Sequence, residues 1–342
     1  MKTHTIILFI VIISLVTNYS HAVDPITFTV GTAVLAGFGY NFDYVKQKTY
    51  CSFQECCSDY WIPGDINKLK NELESHLFGQ HIVLEKVIPA IRAHFSKDTA
   101  SKKALVLSFH GTPGTGKNYV ADFIAKSLYL KGLESKFVHL FKGRADFPYQ
   151  SESERYSKEI KELVEKSVTD CPRSLFIFDE VDKMPHGIFE SLTSLVDYYS
   201  TSRGPDYRQA IFVFVSNTAG LNIALHLGSL LKQGTLREST RMSDFEKILE
   251  LGAYNLEGGM KKTGLIEAHV VDHYIPFLPL EKEHVYKCIE AEFQRWDKTP
   301  DRNVIENMIN EYVSFEKKTG IFATSGCKKL DKKVAVEAES MF

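Results

Sequence analysis

The chain has 342 residues, more than one ordinary domain needs once targeting segments are set aside. Hydrophobic residues make up 44% and charged residues 25%, which excludes a disordered chain and fits a folded globular protein. Lys plus Arg total 41 against 43 Asp plus Glu, and that balance argues against a nucleic-acid-binding surface as the main function.

In chain order, Met1 to Ala22 reads as a secretory signal. Lys2 supplies the positive start, Ile6 to Val16 the apolar core, and Ser20-His21-Ala22 the small residues near a cleavage site. The core is short for a membrane span. A second uncharged apolar run, Ile26 to Tyr40, follows at once and is also short for a span. It reads as a peripheral anchor lying in one leaflet, with a buried strand pair as the alternative. Cys51, Cys56 and Cys57 come next. After a signal peptide they point to disulfides rather than zinc, since no histidine sits nearby at ligand spacing. The other cysteines are Cys171, Cys288 and Cys327. Pairing does not follow from sequence; Cys171 is one candidate for the N-terminal three, which would leave Cys288 and Cys327 to each other.

From Ile66 the apolar spacing is helical: Leu69, Leu73 and Leu77, then Ile82, Val83, Val87 and Ile91, with Gly79 between two helices. Ala104 to Phe109 is an apolar strand. It runs into His110-Gly111-Thr112-Pro113-Gly114-Thr115-Gly116-Lys117-Asn118 and then a helix carrying Val120, Phe123, Ile124 and Leu128. Strand, glycine-rich turn and helix form the context of a P-loop. Gly111 to Gly116 let backbone N–H groups converge on phosphate oxygens, and Lys117 adds a point charge on the β- and γ-phosphates. A P-loop usually ends in Ser or Thr as a Mg²⁺ ligand. Here Asn118 stands instead, and its amide oxygen would serve directly or through water.

Lys136 to Phe141 reads as a strand, and Ser151 to Thr169 as a charged, exposed helix. Ser174 to Phe178 is a buried strand ending in Asp179 and Glu180. His186 to Tyr199 reads as a helix, Ala210 to Val215 as a strand ending at Ser216-Asn217, and His269 to Ile275 as another strand. Beyond Pro276 strands stop, and Glu281 to Trp296, Asp301 to Tyr312 and a segment starting near Ser325 read as helices. The expected division is a signal peptide over 1–22, an apolar and Cys-rich segment over 23–64, a large nucleotide-binding domain over 65–276 and a small helical domain over 277–342. Strands alternating with helices imply an α/β fold, a parallel sheet with helices on both faces. Strand C-termini in such a sheet face the ligand crevice. Asp179 would then hold Mg²⁺ through water, Glu180 would polarise the attacking water, and Asn217 would bond the γ-phosphate or that water.

Together these residues resemble an AAA+ ATPase. Gly-Thr-Gly-Lys-Asn at the P-loop, Leu77-Phe78-Gly79-Gln80-His81, Ile177 to Met184, the N-terminal Cys-x4-Cys-Cys and Gly326-Cys327-Lys328 narrow the resemblance to the torsins. These are AAA+ ATPases of the ER lumen and the contiguous nuclear envelope. The resemblance implies Lys117 and Asn118 as Walker A, Asp179 and Glu180 as Walker B, Asn217 as sensor 1 and Lys328 as sensor 2. It also implies a redox-responsive Cys327, with Cys288 as its partner. It implies ATP and Mg²⁺ as cofactors, self-association, protein clients, and a membrane-bound activator whose lumenal domain supplies the arginine finger that torsins lack. Arg237 and Arg241 lie in the region where AAA+ rings carry that finger, but amid polar residues typical of a solvated surface. Phe147-Pro148-Tyr149 sits near the usual pore loop and departs from it through Pro148. The implied function is a slow, activator-dependent ATPase that remodels or chaperones proteins. The rival, favoured by Asn118 and the missing finger, is an ATP-gated binding module or scaffold with little or no hydrolysis.

Overall fold

The computed structural model describes residues 51, 53–96, 101–196, 204–255, 260, 269–317 and 320–341. The expected signal peptide and the apolar run 26–40 lie outside them. The chain divides into two units, 1–56 and 57–342. In the first, a disulfide joins Cys51 to Cys56.

The second unit is built on one sheet. Strands β1 (Leu105–Gly111), β2 (Val138–Lys142), β3 (Leu175–Asp179), β4 (Ile211–Ser216) and β5 (His273–Phe277) lie in the order β2-β3-β4-β1-β5. Every neighbouring pair is parallel. All residues of β1 and β4 are buried, which is why they read as unbroken apolar runs rather than alternating ones. One face carries stacked rings: Phe178 lies 4.7 Å from Phe141 and 5.1 Å from Phe214, and Phe189 meets both Phe178 and Phe214 edge-on.

The longer helices of the sheet region are α1 (Ile66–His76), α2 (His81–Phe95), α3 (Lys117–Leu128), α4 (Ser153–Asp170), α5 (Glu190–Val196), α6 (Gly220–Lys232) and α7 (Met242–Asn255). Helix α3 packs against β1, β3 and β4 and against α1. The expectation of an exposed α4 needs correction. Tyr156, Ile160, Val164 and Val168 form a row buried against the aromatic face, while Lys158–Glu162 and Lys161–Glu165 pair in solvent. The abundance of charge hid a narrow apolar stripe. A disulfide joins Cys57 to Cys171 at the end of α4, 114 residues away in sequence. Closing so long a loop typically contributes about 2–5 kcal/mol.

Past β5, α8 (Lys282–Arg295), α9 (Arg302–Tyr312) and α10 (Leu330–Ser340) share a core of Val285, Ile289, Phe293, Ile305, Met308, Ile309, Leu330 and Val334. Strand pairing does not stop completely there: antiparallel bridges join Glu281 to Phe322 and Phe315 to Ala323.

Three boundaries move from the expected ones. Helix α5 starts at Glu190, not His186, because Pro185 and a left-handed Gly187 (φ 80°) make a turn first. Strand β5 starts at His273, after a left-handed His269 (φ 51°). Helix α10 starts at Leu330, not near Ser325, because Lys329 is left-handed (φ 70°). Lys328 therefore sits on a turn, not in a helix.

Candidate nucleotide site

Parallel pairing of β1 with β4, and of β4 with β3, brings their C-terminal ends side by side. A cleft of about 500 Å³ opens there. Its lining includes Gly114 to Asn118, Asp179, Glu180, Asn217, Cys327 and Lys328, together with Leu77, Phe78, Leu280 and Ala291. The structure thus gathers residues spread from position 77 to position 328. A larger cleft, about 970 Å³, opens near the N-terminal ends of β1, β3 and β4, beside Arg92, Arg173 and Arg208, and holds none of these residues.

Helix α3 begins at Lys117, directly after the glycine-rich turn, so its free N–H groups face the cleft. The Lys117 ammonium is buried and donates to the carbonyls of Gly111 (2.7 Å) and Thr112 (2.8 Å). Burial pulls its pKa down to about 8, a shift opposed by the carboxylates of Asp182 and Asp179. Asn118 donates from Nδ2 to Asp179 Oδ2 at 2.6 Å. The other Asp179 oxygen accepts from the Glu180 N–H at 2.8 Å. Burial raises the Asp179 carboxyl above its usual range, and those two hydrogen bonds oppose the rise. Glu180 itself is held in a left-handed conformation (φ 55°), with its carboxylate half-exposed and Arg144 Nε 3.9 Å away. A non-glycine residue held there marks local strain of the kind found at functional sites.

The helical region closes the other side. The N–H of Cys327 donates to the carbonyl of Gly114 at 3.1 Å. A side chain at Gly114, whose φ is 79°, would collide with the Ser325 carbonyl, so this contact requires glycine. Cys288 of α8 and Cys327 are joined by a disulfide.

Asp182, His110 and Gln80, which the sequence places inside motif stretches without a role of their own, belong to this architecture. The buried Asp182 carboxylate accepts the Asn217 N–H at 3.0 Å, tying the turn after β3 to the end of β4. It is the third acid of Asp-Glu-x-Asp, which was the available signal. His110 lies between Ser108 Oγ (2.7 Å) and Thr218 Oγ1 (3.0 Å), and Thr218 Oγ1 accepts from Ser216 Oγ at 2.8 Å. Gln80 donates to the carbonyls of Thr115 and Leu278 and accepts from the Leu278 N–H.

Arg237 corrects the expectation of a solvated surface residue. It is 5% exposed and bonds Gly79, Pro279 and Glu281. Sequence holds no signal for it, because its partners are mostly backbone carbonyls. Arg241 is exposed, as expected. Phe147 is buried against Phe141 and Tyr156, which leaves Tyr149 as the exposed aromatic of that segment.

Strand order, glycine-rich loop and flanking helices define an AAA+ fold. Hsp104 of S. cerevisiae in an ADP complex superimposes with a TM-score of 0.56 at 13% identity, over 82% of this chain and 48% of that one. A second Hsp104 structure, a complex with casein, gives 0.54 at 17% identity over 81% and 47%. This chain spans about half the length of those Hsp104 chains. Two family profiles match: "Torsin" over residues 51–178 and "Torsin-1A, C-terminal domain" over 280–336. A torsin-like protein of Drosophila melanogaster is 53% identical over 319 residues, 92% of each chain. One of Caenorhabditis elegans is 36% identical over 310 residues, 90% of this chain and 86% of that one. The chain belongs to the torsin family.

The buried His110 carries a pH dependence. Burial pushes its pKa from 6.5 to about 3. The unfolded chain therefore binds the extra proton first as pH falls. Stability present above pH 6.5 is lost between there and about 3, at up to about 1.4 kcal/mol per pH unit from this group. Denaturant unfolding across that window should show a flatter slope for His110→Gln than for wild type. Identical slopes would mean that His110 does not stay neutral in the folded protein.

Proposed function

We propose that this chain is a Mg²⁺-dependent ATPase that remodels or chaperones proteins in the ER lumen and the contiguous nuclear envelope. The observation that carries the reading is the meeting of Lys117, Asn118, Asp179, Glu180, Asn217 and Lys328 at one cleft. The backbone of 111–118 cradles the phosphates. Lys117 exchanges its two carbonyl partners for β- and γ-phosphate oxygens, which relieves the cost of a buried cation. Asp179 and Asn118 offer two oxygens at the loop's end. That suits an ion held mainly by phosphates and water rather than by an all-protein cage. Bound Mg²⁺ would neutralise charge on the β- and γ-oxygens. Glu180 accepts the proton of the water that attacks the γ-phosphorus as the bond to ADP breaks. Asn217, fixed by Asp182, bonds the γ-phosphate or that water, and Lys328 meets the γ-phosphate from the helical side.

The disulfides among the described residues support an oxidising compartment. The AAA+ relationship supports self-association, and residues 26–40 would supply the peripheral membrane contact. Lys117→Ala should remove ATP binding, whereas Glu180→Gln should bind ATP and lose turnover, as read by direct titration and steady-state phosphate release. Wild-type turnover from Glu180→Gln would take Glu180 out of the mechanism. Asn118 in place of Ser or Thr, hydrogen-bonded to one carboxylate oxygen of Asp179, favours the second reading, an ATP-gated binding module. That reading holds if wild type and Glu180→Gln are equally inactive while partner binding still depends on ATP.

The transition state needs a cation on the open side of the γ-phosphoryl group. Arg237 is consumed by the fold, Arg295 pairs with Glu292, and Arg144 sits beside Glu180. Arg241 remains exposed, and the torsin relationship favours an activator with a lumenal domain as the source of the arginine, a contribution of roughly a thousand-fold or more. Adding such a domain should raise hydrolysis, and mutating its arginine should remove the rise while sparing binding. Rapid turnover by the lone chain would refute this.

Cys288 and Cys327 act as a redox control. The Cys327 N–H holds the P-loop carbonyl of Gly114, so opening the disulfide changes the constraint on that contact. ATP affinity should differ between oxidised and reduced protein, and Cys288→Ser should abolish the difference. An unchanged dissociation constant on reduction ends this proposal.

A further inference from the structure

The cleft has two apolar walls beside the P-loop. Leu77 and Phe78 form one, on the turn between α1 and α2; Leu280 and Ala291 form the other, on the linker from β5 and on α8. Four contacts fix the first wall. Gln80 ties its turn to the P-loop at Thr115 (3.0 Å) and to Leu278 (2.8 Å). A side chain at Gly79, whose φ is 69°, would meet the His284 ring at 2.6 Å, so the turn lies hard against α8. The fourth contact is Arg237. Its Nε and Nη2 donate to the Gly79 carbonyl at 3.2 and 2.7 Å, and its Nη1 donates to the Pro279 carbonyl and to Glu281 Oε1, both at 2.9 Å. One buried guanidinium thus joins the turn behind Phe78 to the linker ahead of Leu280, from a segment more than 150 residues away from the turn.

We infer that Arg237 is a positioning residue for the nucleotide base, setting the gap between the two walls while leaving the phosphate cradle alone. The inference rests on the ATP reading above. The planar fork matters: three acceptors on two segments lie within reach of one rigid group, which a lysine ammonium on a flexible stem cannot bridge in the same way. Without it, two carbonyls at the wall junction lose their donor in a buried setting, and the walls are free to part. The phosphate-facing groups keep their own supports, since Lys117 bonds Gly111 and Thr112, and Gln80 still holds Thr115.

The test compares two probes on the full chain: Mg-ATP, which uses the base walls, and Mg-tripolyphosphate, which uses the cradle alone. Arg237→Met should weaken ATP by about tenfold or more and leave tripolyphosphate within about twofold. Arg237→Lys, which keeps the charge and serves if the Met variant fails to fold, should show the same selective loss to a smaller degree. Equal weakening of both probes, or ATP affinity unchanged in both variants, overturns the inference while wild-type ATP binding stands. Wild-type protein that binds neither probe overturns the ATP reading and this inference with it.

Discussion

Parallel pairing of β1 with β4 is the constraint on which the site depends. The register runs from Leu105↔Ile211 to His110↔Ser216, so both strands end together. The P-loop leaves one end and Asn217 leaves the other. Pairing of β3 with β4 then sets Asp179 and Glu180 beside them. Parallel strands need long crossovers, and here those crossovers are the helices that cover the two faces. The buried strands and the assembly of the cleft are one fact about packing.

Buried polar groups beneath the cleft hold these strand ends in place. Ser108, His110, Thr218, Ser216 and Asp182 form a hydrogen-bonded series from β1 to the turn after β3. Each member has a partner, and leaving one unpaired in this setting would cost about 1–3 kcal/mol. A neutral His110 suits the series, because a second buried cation beside Lys117 would repel it. The polar interior thereby links the P-loop strand to the segment that carries Asn217.

The cleft is completed from far along the chain. The turn before α10 bonds the P-loop through Cys327 and Gly114, and a disulfide ties that turn to α8. Arg237 and Gln80 bind the linker ahead of α8 to the turn after α1. Any change in the helical region's position must alter these few contacts.

The sequence by itself determined the strands, the P-loop and the acids at the end of β3. Unbroken apolar runs and a glycine-rich turn are local patterns, written in adjacent residues. It also marked Gly326-Cys327-Lys328 through resemblance alone, since nothing in that stretch announces a role. The start of α10 at Leu330 escaped it, because a left-handed Lys329 has no signature in residue type. The buried row of α4 was masked by its charges until the aromatic face of the sheet covered it. Only the tertiary structure decided that Cys57, rather than Cys51 or Cys56, pairs with Cys171, and that Arg237 is buried. Both outcomes depend on segments over a hundred residues apart meeting in space, and in the case of Arg237 on backbone carbonyls that every residue type carries.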